Sequence, residues 1–140
     1  MYLVKVSVTF SAAHRLYRPE LTDEQNFQLY GKCSSPNGHG HNYDLEIAVQ
    51  GKLDPDTGMV VNFYDLDKVV NERIFNKVDH RNLNTDVDFL RGVVPTAENM
   101  ARCFWEQIEP HLGDAVLHHI SVGERGSNIV EYYGPERGEK

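Results

Sequence analysis

The pattern of apolar and polar residues predicts an α+β fold, in which two helices cover one face of a four-stranded antiparallel sheet. Three observations support this prediction. Apolar and polar residues alternate near the N-terminus, helical periodicity follows in the middle of the chain, and alternation returns near the C-terminus. The 140 residues contain no internal repeat or low-complexity tract, so we expect a single domain spanning residues 1–140.

The first part of the chain is predicted to contain strands joined by loops. Residues 3–10 alternate in the manner of a half-buried strand, whereas residues 18–38 are polar and turn-rich and predict a long loop. The stretch "HNYDLEIAVQGKL" alternates again and predicts a second strand. The sequence "DPDTG" then predicts a turn, after which "MVVNF" is expected to return as the partner strand of a hairpin.

Two helices and a hairpin complete the predicted fold. The first helix is indicated by apolar residues at near-helical spacing from Phe63 onward, with Asn62 or Asp65 as its cap. The second shows a clear 3.6-residue stripe from Ala97 onward, with Thr96 in the N-cap position. The stretches "LHHISV" and "NIVEYYG", joined through "GERGS", predict the last two strands. Such a sheet has two open edges, which makes oligomerisation plausible.

Charge and cysteine content exclude several classes of protein. The net charge of −7 argues against general nucleic-acid binding, although a small phosphorylated ligand needs only a few basic residues. No stretch approaches the 18 or more apolar residues of a membrane span. Cys33 and Cys103 are too few for a disulfide framework, so we expect a reducing cytoplasm. Cys103, in the middle of a helix, is expected to be a packing residue.

Three histidines suggest a metal site. His39 and His41 are two residues apart, so their imidazoles point to the same side of a strand, and His14 ends another strand in "FSAAH". Three histidines from two strands match the three ligands and one open position of catalytic zinc. The adjacent His118 and His119 are expected to point to opposite sides of a strand, with structural or exposed roles.

Cys33, which five residues separate from His39, has two interpretations that its spacing leaves open. As a fourth ligand it would close the metal site and make it structural. As a neighbour of the metal and of Lys32, it would be a reactive thiol whose pKa is lowered by positive charge.

Two acidic positions complete the set of candidate residues. Asp79 precedes His80 in "VDHRNLN", and a histidine oriented by a carboxylate forms a proton relay; a simple turn is the alternative. Glu124 lies between two glycines in "GERG". A carboxylate there accepts hydrogen bonds from a ligand rich in N–H donors, unless it is merely a solvated turn residue.

Six stretches in order resemble the 6-pyruvoyltetrahydropterin synthase family: "FSAAHRL", "GKCSSPNGHGHNY", "GMVVNFYDL", "VDHRNLN", "PTAENMA" and "GERGSNIVEYYG". They span residues 10 to 134. The resemblance implies a tunnelling fold, in which subunits assemble into trimeric barrels and two trimers stack into a homohexamer. It also implies one zinc ion per subunit, bound by His14, His39 and His41. It further implies that Cys33 is the catalytic base and that Glu124 anchors the pterin, while Thr96 lines the pterin pocket. Asp79 and His80, both from a neighbouring subunit, would form the proton-relay pair.

The activity implied by the resemblance is a lyase reaction on 7,8-dihydroneopterin triphosphate, giving 6-pyruvoyltetrahydropterin and triphosphate. Zinc would act as a Lewis acid while the Cys33 thiolate removes a proton from the first side-chain carbon. Arg15 and Lys32 are expected to face the triphosphate because of their charge and proximity, and a Mg²⁺ ion on the triphosphate is left open. No external redox cofactor, nucleic acid or membrane is expected as a partner.

Two alternatives stay open. 6-Carboxytetrahydropterin synthase, the queuosine-pathway member of the superfamily, uses the same substrate but releases acetaldehyde. That branch resembles a shorter cysteine-to-histidine spacing, so the spacing here favours the pyruvoyl product without deciding it. The second alternative is a non-catalytic, zinc-stabilised oligomer that binds a pterin or a partner, in which Cys33 would be a fourth ligand.

Overall fold

The computed structural model describes residues 1–136, and its centre is a five-stranded sheet. The strands are β1 (Tyr2–His14), β2 (His39–Gly51), β3 (Arg81–Asn82), β4 (Val116–Glu124) and β5 (Asn128–Tyr132). Their order across the sheet is β3-β1-β2-β4-β5. The four long strands are antiparallel, as predicted. The two-residue β3, which the prediction omitted, pairs in parallel with β1 and makes the sheet mixed.

The helices are α1 (Asp23–Tyr30), α2 (Phe63–Val70) and α3 (Ala97–Ile108). The helix α2 continues through a π-helical turn, Asn71–Phe75, and a last α-helical turn, Asn76–Val78. Of the two caps predicted for α2, Asn62 is the N-cap, since its side chain accepts a hydrogen bond from the backbone of the helix, whereas Asp65 lies in the first turn. The predicted cap of α3, Thr96, is confirmed in the same way.

The core lies between the sheet and the two later helices, because alternate residues of each strand face the helices. The helix α3 packs on β4 and β5, and α2 contacts β1. Burying these apolar faces supplies most of the driving force for folding. The largest fully buried side chains come from both layers and from the segment between β3 and α3: Phe10, Tyr43, Leu45, Ile47, Leu66, Ile74, Leu83, Leu90, Met100, Phe104, Ile108 and Ile120.

The long loop predicted over residues 18–38 is wrong, because this segment contains α1 and the 3₁₀ turn Gly31–Ser34. The only buried residue of α1 is Asn26, so the helix has no apolar stripe to reveal it. The sequence does carry a capping box: Thr22 accepts from the backbone N–H of Gln25, whose side chain accepts from the N–H of Thr22.

The predicted strand over residues 59–63 is also wrong. The turn before it forms, with Gly58 N–H donating to the carbonyl of Asp54 at 2.7 Å. The chain then passes directly into α2 without joining the sheet. Both edges of β2 are already paired, with β1 and with β4, so no edge of β2 is left for a returning hairpin strand.

A β-bulge overturns the prediction that His118 and His119 point to opposite sides of a strand. The register of β2 with β4 shifts between Ala48 and Val49, which leaves His118 as the extra residue. The Nδ1 atoms of the two histidines consequently lie 2.7 Å apart. Across the part of the chain that the structure describes, no helix is long and apolar enough to cross a membrane.

Candidate metal centre and active site

The three predicted metal ligands meet at one end of the β1–β2 pair. His14, the last residue of β1, lies directly opposite His39, the first residue of β2, and Ala12 lies opposite His41. Strand alternation places all three imidazoles on the helix-facing side of the sheet, in line with the core residue Tyr43. Their ring centroids are 4.6 to 5.2 Å apart. The site is therefore the continuation of the core at the end of the sheet.

The nitrogen geometry fits a tetrahedral metal ion. One ring nitrogen from each histidine lies within 4.8 Å of the other two, and the Nε2 atoms of His14 and His39 are 3.1 Å apart. Two nitrogens bound to one tetrahedral zinc ion are separated by roughly 3.3–3.4 Å. The Nδ1–H of His14 donates to the carbonyl of Pro95 at 2.8 Å, which leaves its Nε2 lone pair for the metal. The three residues present thus fit a Zn²⁺ ion with one open position.

Burial keeps two of these ligands in the form that binds metal. The pKa of His14 is lowered from 6.5 to about 4, chiefly because burial disfavours the imidazolium; the Pro95 carbonyl opposes this shift, and nearby His39 and His41 reinforce it. Burial also lowers the pKa of His41, against the raising effect of Glu124. Both rings are neutral near pH 7, so a metal ion need not displace protons from them.

Cys33 is held beside this cluster by the 3₁₀ turn Gly31–Ser34. Its carbonyl accepts a hydrogen bond of 2.8 Å from the backbone N–H of Leu16, two residues beyond His14. The thiol is partly exposed and unpaired by any disulfide. Its sulfur does not belong to the group of nitrogens within 4.8 Å of one another.

Of the two basic residues predicted near the triphosphate, Arg15 has clear structural contacts. Its Nε–H donates to the Ser34 carbonyl at 2.8 Å, and its other end contacts the Asp23 carboxylate at 3.1 Å. The guanidinium also lies 4.0 Å from the centre of the Tyr17 ring. Arg15 therefore ties the turn of Cys33 to α1. Lys32, on the same turn, is exposed.

Glu124 and Thr96 line one cavity of about 530 Å³ next to the histidines. Glu124 ends β4, opposite Tyr43, and its Oε2 lies 4.0 Å from Nε2 of His41. Thr96 is placed by its role as N-cap of α3, where its hydroxyl accepts from the N–H of Asn99 at 3.2 Å. A carboxylate and a helix N-terminus thus face the same space beside the candidate metal centre.

Asp79 and His80 form the predicted hydrogen-bonded pair, but at the β3 edge of the sheet. Nδ1 of His80 lies 2.9 Å from the carboxylate of Asp79, which also accepts from the N–H of Ser11 at 3.0 Å. These two hydrogen bonds lower the pKa of Asp79, that from Ser11 more strongly. The His80 side chain is 81% exposed. It lines an open trough with His41, yet in the described part of this subunit no hydrogen bond joins the pair to the three histidines.

Tyr43 also lies at the candidate site, although sequence reasoning did not single it out. Its hydroxyl lies 3.2 Å from both ring nitrogens of His14. Burial is the main cause that raises the pKa of its phenol far above the usual value, with Glu124 and Cys33 adding to it, so the phenol stays neutral. The signal was present in the sequence, because Tyr43 continues the two-residue spacing of His39 and His41.

Comparison with known proteins identifies the family of this chain. The family model "6-pyruvoyl tetrahydropterin synthase" matches residues 3–135. The human 6-pyruvoyl tetrahydrobiopterin synthase is 47% identical over 127 residues, covering 91% of this chain and 88% of the relative. The solved structure of the Caenorhabditis elegans 6-pyruvoyl tetrahydropterin synthase is 36% identical and covers 96% of both chains, with a TM-score of 0.89. A protein of Archaeoglobus fulgidus, provisionally named 6-carboxy-5,6,7,8-tetrahydropterin synthase, is 34% identical over 92% of this chain and 93% of its own length.

The lowered pKa of His14 predicts an acid-labile metal-free protein. Between pH 6.5 and about 4 the unfolded chain binds a proton at His14 that the folded chain does not, so stability falls as the pH falls through this window. We expect urea unfolding of the metal-free protein to show this loss. In His14→Gln the pH dependence should be shallower by up to about 1.4 kcal/mol per pH unit, the value for one proton. Equal slopes in the two proteins would contradict the assignment.

Proposed function

The chain belongs to the 6-pyruvoyl tetrahydropterin synthase family, a family of lyases, and from this premise we propose that it converts 7,8-dihydroneopterin triphosphate to 6-pyruvoyltetrahydropterin and triphosphate. The observation that carries the proposal is the convergence of three imidazoles beside Glu124, whose carboxylate lies 4.0 Å from His41 and lines a neighbouring cavity. That combination offers a metal site and, beside it, a carboxylate that can accept N–H hydrogen bonds from a heterocyclic ligand.

In the proposed reaction, His14, His39 and His41 hold one Zn²⁺ ion per subunit. When bound, the ion supplies Lewis acidity toward the oxygens of the substrate side chain. The chain's own part is to present neutral ring nitrogens, to exclude water behind them with the buried Tyr43, and to leave the fourth position open to the substrate.

Cys33 acts as the general base. Its thiolate takes the proton from the first side-chain carbon of the substrate, and protonation of the pterin ring with loss of triphosphate follows. The two electrons that reduce the ring come from the substrate side chain, so no external redox cofactor is needed. The backbone hydrogen bond between Cys33 and Leu16 supports this role, because it holds the main chain of Cys33 near the end of β1.

Asp79 and His80 relay protons in this scheme. Asp79 is held as a carboxylate by the N–H of Ser11 and accepts from Nδ1 of His80, which leaves Nε2 free to exchange a proton. Because the pair points outward from the β3 edge, we propose that it serves the site of a neighbouring subunit. Assembly into barrels and a homohexamer in the cytoplasm belongs to the same proposal.

The substrate is recognised at its two ends. Glu124 accepts hydrogen bonds from the amino group and ring nitrogens of the pterin, and Thr96 lines the same cavity. Lys32, exposed on the turn of Cys33, faces the triphosphate, with Arg15 adding positive charge from behind the turn and Mg²⁺ a further candidate counter-ion.

One competing product has support of its own, because the similar Archaeoglobus fulgidus protein carries the name of a carboxy synthase. Product analysis separates the two activities. With the zinc-loaded protein and 7,8-dihydroneopterin triphosphate, we expect triphosphate release, a retained three-carbon side chain by mass and no acetaldehyde. Acetaldehyde with a carboxylated pterin would instead assign 6-carboxytetrahydropterin synthase activity. Absence of turnover would favour a zinc-stabilised binding protein.

The role of Cys33 is tested by Cys33→Ala, with Cys103→Ala as the matched control. Cys103 is buried in α3 away from the site, so its variant should keep activity near the wild-type level. Loss of a general base typically costs about 10²–10⁴-fold in rate, and we expect Cys33→Ala to lose at least this much while retaining one zinc per subunit. Joint loss of zinc and activity would identify Cys33 as a fourth ligand.

The sharing of sites between subunits is tested by mixing two inactive variants, Cys33→Ala and His80→Ala. If the pair comes from a neighbour, a randomly mixed assembly contains sites with an intact cysteine and an intact histidine. Random mixing should then restore about a quarter of the wild-type activity. Mixtures as inactive as their components would show that each subunit uses its own pair.

A further inference from the structure

The hydroxyl of Tyr43 occupies an unusual place for a core tyrosine. The residue is fully buried, and its ring stacks on Phe10 with centroids 5.0 Å apart and an interplanar angle of 16°. Phe10 is also its direct partner across the β1–β2 pair. This double constraint fixes the direction of the phenol, whose polar end points out of the core toward the histidines.

The hydroxyl stands over the face of the His14 ring. It lies 3.2 Å from both ring nitrogens. If the hydroxyl oxygen lay in the plane of the ring at these two equal distances, it would be closer to the Cε1 carbon than van der Waals contact allows. The oxygen therefore lies above the ring plane. The two rings are nearly perpendicular, at 88°, with centroids 5.9 Å apart. This places the phenol end-on above the imidazole. The in-plane lone pair of His14 Nε2 therefore stays available.

The aromatic ring of Tyr43 also packs against His41, the third candidate ligand. The ring of His41 is perpendicular to that of Tyr43, at 87°, with centroids 5.7 Å apart. Tyr43 thus lies at the base of two of the three imidazoles. The Pro95 carbonyl restrains His14 through a single in-plane bond to Nδ1, about which the ring can still tilt. A contact on the ring face is what stops this tilt.

We propose that Tyr43 is a positioning residue of the metal centre: its hydroxyl fixes the tilt of His14, and its ring packs against His41, so that the nitrogens of both converge on one point. The inference rests on the metal centre of the proposed function. It assigns to Tyr43 a role through the ligands and not through contact with substrate. Partners that orient metal-binding histidines typically contribute about 10–100-fold in metal affinity, and a contact through the ring face falls at the lower end.

The test compares Tyr43→Phe, which removes one oxygen and keeps the ring, with Tyr64→Phe as the matched control. Tyr64 is 85% exposed on α2. Zinc affinity is measured by chelator competition, and the ligand geometry by the visible absorption of the Co²⁺-loaded protein. For Tyr43→Phe we expect about tenfold weaker zinc binding and an altered Co²⁺ spectrum. Tyr64→Phe should match the wild type in both.

Melting of the metal-free proteins separates positioning from packing. A purely structural tyrosine would lower the melting temperature of metal-free Tyr43→Phe and leave its Co²⁺ spectrum and zinc affinity unchanged, which would overturn the inference. Failure of the wild-type chain to bind Co²⁺ or Zn²⁺ at one ion per subunit would refute the metal centre itself, and this inference with it. The two failures can be told apart: in the first the wild-type protein binds metal and Tyr43→Phe binds it equally well, whereas in the second the wild-type protein binds no metal.

Discussion

The pairing of β1 with β2 is the constraint on which the rest of the structure depends. Thirteen residues of each strand pair without a register shift, from the sheet's far end to the histidines. The buried apolar side chains of Val6, Phe10, Leu45 and Ile47 hold this register, because a slip of either strand by one residue would turn its own buried side chains to the opposite face. The same slip would separate the three imidazoles. Core packing and ligand alignment are thus fixed by one set of contacts.

Placing the candidate metal ligands in the last rows of the core also sets their chemistry. Burial that stabilises the apolar rows destabilises the imidazolium of His14, whose pKa falls to about 4. A surface histidine would titrate near pH 6.5 and lose its lone pair to protons in mild acid. The stability of the sheet therefore keeps His14 buried, and burial keeps its imidazole neutral. Tyr43 joins the two functions, since its ring packs on Phe10 while its hydroxyl meets His14.

Local patterns in the sequence account for what could be predicted. Alternation revealed the four long strands, and with them the shared face of the three histidines. The helix α1 was not predicted, because the residue it buries is the polar Asn26 and no apolar stripe marks the helix. The contact between His118 and His119 depends on a bulge, a property of the register between two strands that neither strand shows alone. The contact of the Tyr43 hydroxyl with His14 could not be predicted, because the alternation of apolar residues predicts which side chains are buried but not where a buried hydroxyl points.

The candidate site is divided between the middle of the sheet and its edge. Glu124 and the histidines belong to paired strands, whereas Asp79 and His80 are fixed to the outer side of β1 by the backbone of Ser11. An exposed strand edge carries unpaired backbone groups that favour pairing with another chain. In the proposed assembly, a copy that approaches the β3 edge also meets the exposed imidazole of His80. Covering that edge and completing a site would then be one event, which makes association a condition of activity and not only a source of stability.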